Sequence, residues 1–190
     1  RRMKIAITGG NDGIGKETAR QLLEKGHSVV VISRESEKSK RSIEELRNLG
    51  DIELITCDLS QLAQVSEAVS ELKKNHPDLG VLICNAGVMS KKKQLSKDGL
   101  ELTFAVNHLA HFYLVTRLLP VLEANAPARV VVVSSMVHEN GTVDFDNLQM
   151  EKGYDGMGAY AQSKRANVLF VDELSRRLEG TGVTANALHP

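Results

Sequence analysis

Lys4-Ile5-Ala6-Ile7-Thr8-Gly9-Gly10-Asn11-Asp12-Gly13-Ile14-Gly15 reads as a short apolar strand that turns through glycines into a helix. Glycines in such a turn let the backbone approach a pyrophosphate closely, and the helix behind it offers unpaired N–H groups and the positive end of its dipole. The spacing is not G-x-G-x-x-G, and a tight strand-to-helix turn without a ligand uses the same residues. The neighbouring segments decide between the two.

Outward from that turn, short β-branched runs at 4–8, 28–33, 52–57, 79–84, 129–134 and 183–188 alternate with segments of helical period at 14–25, 36–49, 61–75, 100–124 and 160–178. Strand and helix in alternation build a parallel sheet from βαβ units, and several of the runs are apolar without a period of two, as in strands covered on both faces. Gly26 and Gly50 follow two of the helical segments, where a left-handed C-cap needs no Cβ. The expected fold is α/β: one domain over residues 1–190, a doubly wound parallel sheet with helices on both faces. Residues 136–159, rich in Gly, Asp and Asn, resist the pattern and are long for a connection, so they are expected to serve a site.

Composition excludes several classes of function. The 24 Lys+Arg balance 24 Asp+Glu over 190 residues, leaving no charge surplus for a polyphosphate chain, so no nucleic-acid partner is expected. Lys91-Lys92-Lys93 reads as a solvated loop. Two cysteines, Cys57 and Cys84, make neither a disulfide framework nor a zinc ribbon, and the expected setting is reducing and cytoplasmic, with Asn140-Gly141-Thr142 a turn and not a glycosylation site. His108 and His111 stand three apart on a helical segment without a third ligand, so no metal is expected. No apolar run approaches the ~18 residues of a transmembrane segment, and Arg1-Arg2-Met3-Lys4 runs straight into a strand.

The ends of the strands sharpen the cofactor. In a nucleotide-binding sheet, a carboxylate at the end of the second strand holds a ribose 2′-hydroxyl, whereas an arginine there meets a 2′-phosphate. Here that strand ends in Ser33-Arg34, favouring NADP(H) over NAD; the competing reading is a solvated Arg34 paired with Glu35 or Glu37. Asp58 after the third strand and Asn85-Ala86-Gly87 after the fourth lie at carboxyl ends, where open α/β sheets bind ligands, although Asp58 can equally cap the next helix.

Tyr160 and Lys164, one helical turn apart, share a face. An ordinary phenol, with a pKa of about 10, shuttles protons poorly near neutrality. Lowering it to about 7 takes about 4 kcal/mol, which one ammonium at about 4 Å supplies in an effective dielectric near 20. A serine ends the fifth strand, Ser134 or Ser135, where a hydroxyl can donate to a carbonyl oxygen as charge develops. Asn107 sits inside a helical segment that it does not favour.

Taken together, Thr8-Gly9-x-x-x-Gly13-Ile14-Gly15, Asn85-Ala86-Gly87, Ser135, Tyr160-x-x-x-Lys164 and His189-Pro190 resemble the short-chain dehydrogenase/reductase family, in order and over essentially the whole chain. The resemblance implies a Rossmann-type sheet. It places catalysis on Ser135 rather than Ser134, and it gives Asn107 a water that continues the proton relay from Lys164. It also implies that Lys164 binds the nicotinamide ribose. The cofactor-facing positions it implies are Thr8, Gly9, Asn11, Asp12, Gly13, Ile14, Gly15, Ser33, Arg34, Asp58, Leu59, Asn85, Ala86, Gly87, Tyr160, Lys164 and Pro190.

The long spacing from Ser135 to Tyr160, with Asp144-Phe145-Asp146-Asn147-Leu148 and Asn167-Val168-Leu169-Phe170, is similar to the retinol-dehydrogenase-like branch. That branch implies apolar alcohol and carbonyl substrates. Family members continue past the histidine-proline pair into a substrate lid and a further C-terminal strand, which these residues are expected to lack; the lid carries most substrate selectivity, so the substrate is not legible. Homodimer formation is left open. Two alternatives use the same fold. A non-catalytic NADP(H)-binding sensor or scaffold would lose a member of the Ser-Tyr-Lys set, and none is lost. A methyltransferase would want an acidic residue where Arg34 stands.

Overall fold

The computed structural model describes residues 2–190. Six strands, β1 (Lys4–Thr8), β2 (Ser28–Ser33), β3 (Ile52–Thr56), β4 (Leu79–Cys84), β5 (Ala128–Val133) and β6 (Val183–Leu188), form one sheet in the order β3-β2-β1-β4-β5-β6. Every pairing is parallel. The chain winds outward from β1 to β3, then returns to lay β4 against the other side of β1. The order therefore reverses between β1 and β4, and the carboxyl ends of those two strands flank a crevice, the place where open α/β sheets bind ligands.

Helices α3 (Leu62–Asn75), α5 (Ala110–Ala124) and α6 (Gly156–Arg177) pack on one face, where Val65, Leu72, Leu114, Leu118, Leu122 and Leu174 meet Leu82, Val130 and Val132. On the other face, α1 (Gly13–Glu24) and α2 (Glu37–Arg47) press Ala19, Leu23, Ile43 and Leu46 onto Ile7, Val29 and Val31. β2 is buried along its whole length, as its unbroken Val-Ile run anticipates. β5 and β6 instead alternate buried with less buried positions. The two helices of the second face lie over β1, β2 and β3 and leave the last two strands open on that side. No helix among the described residues is long and apolar enough to cross a membrane.

The segment read as one helix over 100–124 is three. A short α4 (Leu102–Phe104) runs into a widened π-helical turn (Ala105–Leu109), in which the Ala110 N–H reaches back five residues to the Ala105 carbonyl, and then into α5. The buried Glu101 carboxylate starts the run by accepting from the Thr103 and Phe104 N–H groups at 2.8 Å each. α6 begins four residues before the expected Tyr160, at Gly156, capped by Asp155, whose carboxylate accepts from Gly158 N at 2.9 Å. Its glycine-rich first turn reads as loop, but a Cβ on Gly156 would lie 2.4 Å from the Ser90 carbonyl, so only glycine allows this helix start to press on the loop after β4.

The long segment after β5 holds a 3₁₀ turn (Met136–Asn140) and then lies along α6. The buried Gln162 amide accepts from Asp144 N at 3.2 Å and donates to the Leu148 carbonyl at 3.1 Å, and Gln149 Oε1 accepts from Glu101 N at 2.6 Å. The middle of the segment is therefore tied to the helix that carries Tyr160 and, through Gln149, to the start of α4.

Candidate active site

The glycine turn is built against the end of β4. Thr8 Oγ1 accepts from the N–H groups of Asn85 (2.9 Å) and Ala86 (3.0 Å), while Asn85 Nδ2 donates to the Thr8 carbonyl at 3.0 Å. Gly9 and Gly13 take φ values of +68° and +50°, the left-handed region. A Cβ on Gly15 would fall 2.1 Å from the Gly9 carbonyl oxygen and 2.5 Å from Asn85 Nδ2. Gly15→Ala is therefore expected to cost about 2 kcal/mol of stability, as overpacking forces the turn to shift; a urea denaturation midpoint equal to the parent's would show that the turn yields. Asp12 caps α1, and its carboxylate, bonded to Lys38 Nζ at 2.5 Å and to Gly13 N at 2.9 Å, is held below the usual range.

At the end of β2, Ser33 is buried and Arg34 exposed. Arg34 forms no salt bridge among the described residues. Glu35 and Glu37 pair with Lys40 instead, at 3.2 and 3.7 Å, so the ion pairs that would have occupied Arg34 are not made. Asn11 reaches across from the glycine turn to donate to Ser39 Oγ at 3.0 Å. Asp58 sits in the turn before α3, its carboxylate accepting from Ser60 N, Ser60 Oγ and Gln61 Nε2 at 2.9, 2.7 and 3.0 Å. Burial opposes its ionisation, but those bonds and the nearby Arg34 charge outweigh it and hold the carboxyl below its usual value. The capping role read for Asp58 is not made: α3 starts behind Gln61 without a side-chain cap, its Leu62 N–H donates to Asp98 Oδ2, and Asp58 instead closes the turn that precedes the helix; Leu59 beside it is buried.

Lys164 is 3% exposed, its Nζ donates to the Val133 carbonyl at 3.0 Å and lies 5.6 Å from the centre of the Tyr160 ring. Burial pulls the amine down to about 8. A Cβ on Gly87 would stand 3.5 Å from this Nζ and 3.6 Å from Asn107 Oδ1, so the loop after β4, the widened turn and α6 converge on one point. The two serines part company here. Ser134 is buried and donates to the Lys164 carbonyl at 3.1 Å, whereas Ser135 is half-buried and its Oγ meets only Val137 N at 3.4 Å.

Asn107 is fully buried: Oδ1 accepts from Val88 N at 2.8 Å, and Nδ2 donates to the Val88 carbonyl at 2.9 Å and to Ser163 Oγ at 3.0 Å. Its side chain thus pins the loop after β4 to α6. Pro190 follows β6 and is exposed, and His189 Nδ1 accepts from Met136 N at 3.2 Å.

Cys57 and Cys84 are buried thiols pushed up to about 12 by desolvation, unsuited to nucleophilic work. Among the described residues no three His, Cys, Asp or Glu side chains gather as metal ligands. Asn167, Ser163 and Gln162 are not among the site residues expected from sequence, Asn167 having entered only through the branch resemblance. Asn167 carried the signal used for Asn107, an amide inside a helix, at three residues from Lys164.

Known proteins resemble this chain in sequence and in fold. Human retinol dehydrogenase 13 is 40% identical over 98% of this chain, and human retinol dehydrogenase 12 is 43% identical over 98%. The chain spans 57% and 60% of their lengths. The Pseudomonas aeruginosa RhlG/NADP active-site complex superposes with a TM-score of 0.81 at 28% identity, over all of this chain and 72% of that one. Residues 3–190 match the family model described as short chain dehydrogenase. The sheet and its helices are thus shared with known proteins, and the chain belongs to the short chain dehydrogenase family.

Proposed function

We propose that the chain is the catalytic core of an NADP(H)-dependent oxidoreductase that interconverts an apolar alcohol and its carbonyl. The observation that carries this reading is the convergence of Lys164, the Tyr160 ring and Gly87, with the Lys164 amine held on the Val133 carbonyl two residues before Ser135, whose Oγ accepts only from Val137 N among the described residues. The residues present suit the cofactor. Left-handed glycines leave the turn without side chains where a pyrophosphate would lie, and Arg34 forms no salt bridge with a described carboxylate, Asp58 feeling its charge only through space.

NADPH, when bound, supplies the hydride. This chain supplies the rest in the reduction direction. Ser135 Oγ donates a hydrogen bond to the carbonyl oxygen as negative charge grows there, and the Tyr160 hydroxyl delivers the proton that makes it an alcohol. Lys164, held by Val133, keeps a positive charge beside the phenol and presents its remaining N–H donors to the ribose; Asn107 supports the relay from Lys164 by fixing the loop on which Gly87 sits. The retinol dehydrogenases among the relatives support an apolar substrate.

Fluorescence titration with NADPH, NADH and S-adenosylmethionine, followed by a panel of ketones, aldehydes and alcohols, tests the reading. NADPH is expected to bind most tightly. Arg34→Leu should weaken NADPH by about 10- to 100-fold, the worth of a charge-assisted pair with phosphate, and leave NADH unchanged. Equal losses for both cofactors would remove Arg34 from the 2′-phosphate site, and no nicotinamide binding would remove the proposal.

A further inference from the structure

His111 is 2% exposed, carries no part of the chemistry above, and joins two pieces of the site that are distant in sequence. Its Nε2 is 2.8 Å from Thr8 Oγ1 in the glycine turn, and its Nδ1 is 3.0 Å from the backbone carbonyl of Asn107 in the widened turn. The direction of every bond in this chain is fixed. Thr8 Oγ1 already accepts from Asn85 N and Ala86 N, so both lone pairs are used and its proton must go to His111 Nε2. Nε2 is then bare, and the imidazole proton sits on Nδ1, donating to the Asn107 carbonyl. That carbonyl also accepts from Asn167 Nδ2 at 3.0 Å, and Asn167 Oδ1 faces His108 Nδ1 at 3.0 Å. An imidazolium would present a second N–H to an oxygen with nothing left to accept it. Desolvation enforces the same state by pulling His111 down to about 4.

We infer that His111 is a positioning residue that couples the cofactor turn to the proton relay: one ring, in a single tautomer, sets the Thr8 hydroxyl that organises the loop after β4 and the Asn107 carbonyl in the turn beside Lys164. This rests on the function proposed above. The two halves of the ring have separable roles. The Nε2 side holds the loop against which the cofactor lies, and the Nδ1 side holds Asn107, whose side chain fixes Val88 next to Gly87.

Two measurements on the full chain test this. Without cofactor, long-range ¹H–¹⁵N spectra of the parent should show His111 protonated on Nδ1 and bare on Nε2, unchanged between about pH 5.5 and 8. Two variants should then split the roles. In His111→Asn the amide nitrogen takes the place of Nδ1 and keeps the bond to Asn107 but cannot reach Thr8, so NADPH affinity should fall about tenfold while kcat on the best panel substrate stays within about twofold. In His111→Gln the longer side chain reaches Thr8 and not Asn107, and the pattern should reverse. A proton on Nε2 in the parent, parallel losses of affinity and kcat that track thermal stability, or no change in either variant would each overturn the coupling. A parent chain that binds no NADPH would overturn the proposed function and the coupling together. A parent that binds and turns over while any of the other results is found overturns the coupling alone.

Discussion

Tyr160→Phe is expected to bind NADPH within about twofold of the parent and to lose carbonyl reduction by about a thousandfold or more, since general acid catalysis contributes roughly 10²–10⁴ in rate. The substitution removes one oxygen and no packing. The ring that lies 5.6 Å from Lys164 Nζ remains, as does the Tyr160 backbone carbonyl that accepts from Ser163 Oγ at 2.7 Å. Tyr160 is only half-buried, so no cavity forms and no buried acceptor is stranded. The measurement is paired: NADPH fluorescence for binding, cofactor oxidation on the carbonyl panel for turnover. Undiminished turnover would end the mechanism. Lost binding would place the phenol in the fold instead of in the chemistry.

How far such a site can be read from residues alone depends on whether the signal is periodic or cooperative. The six strands were legible because β-branched runs bounded by glycine and polar residues have no other good use, and the parallel order followed from their alternation with helices. The glycine turn and the Tyr-x-x-x-Lys spacing were legible for a similar reason: each is local in sequence, so its geometry travels with it. The widened turn at Ala105–Leu109 was not, because a π-helical step leaves the apolar period nearly intact and differs only in which carbonyl each N–H reaches. The early start of α6 was hidden by Gly156 and Gly158, glycines demanded by the backbone of Ser90 and by the Asp155 cap, which are contacts no local pattern records. His111 showed itself only as one of two histidines three apart. Its use depends on Thr8, 103 residues earlier, and on a hydroxyl whose other contacts are both backbone N–H groups.

Lys164→Met is expected to make the protein more stable and catalytically poor at once. A lysine that is 3% exposed, with its amine pulled by burial from 10.5 to about 8, is folded at a cost, because the unfolded chain holds the same proton more tightly. The sign follows from the proton count. Between about pH 8 and 10.5 the unfolded state binds more protons than the folded state, so the parent gains stability as pH rises through that window; below it the whole penalty is present. A shift of this size is worth about 3 kcal/mol, and losing the bond to the Val133 carbonyl returns about 1 kcal/mol, leaving the variant about 2 kcal/mol more stable at pH 7. That advantage should shrink as pH approaches 10.5, and urea denaturation at pH 7 and pH 10 measures both ends. Turnover should move the other way. A unit charge at the 5.6 Å ring separation is worth about 3 kcal/mol in an effective dielectric near 20, so its removal should slow the reaction by at least about a hundredfold. Stability given up for a buried charge is intelligible only if the charge acts on something, and Tyr160 is the group within its reach that chemistry needs. A methionine variant less stable than the parent at pH 7 would mean that the bond from Lys164 to β5 outweighs its burial, and one that keeps its rate would mean that its charge does not act on Tyr160.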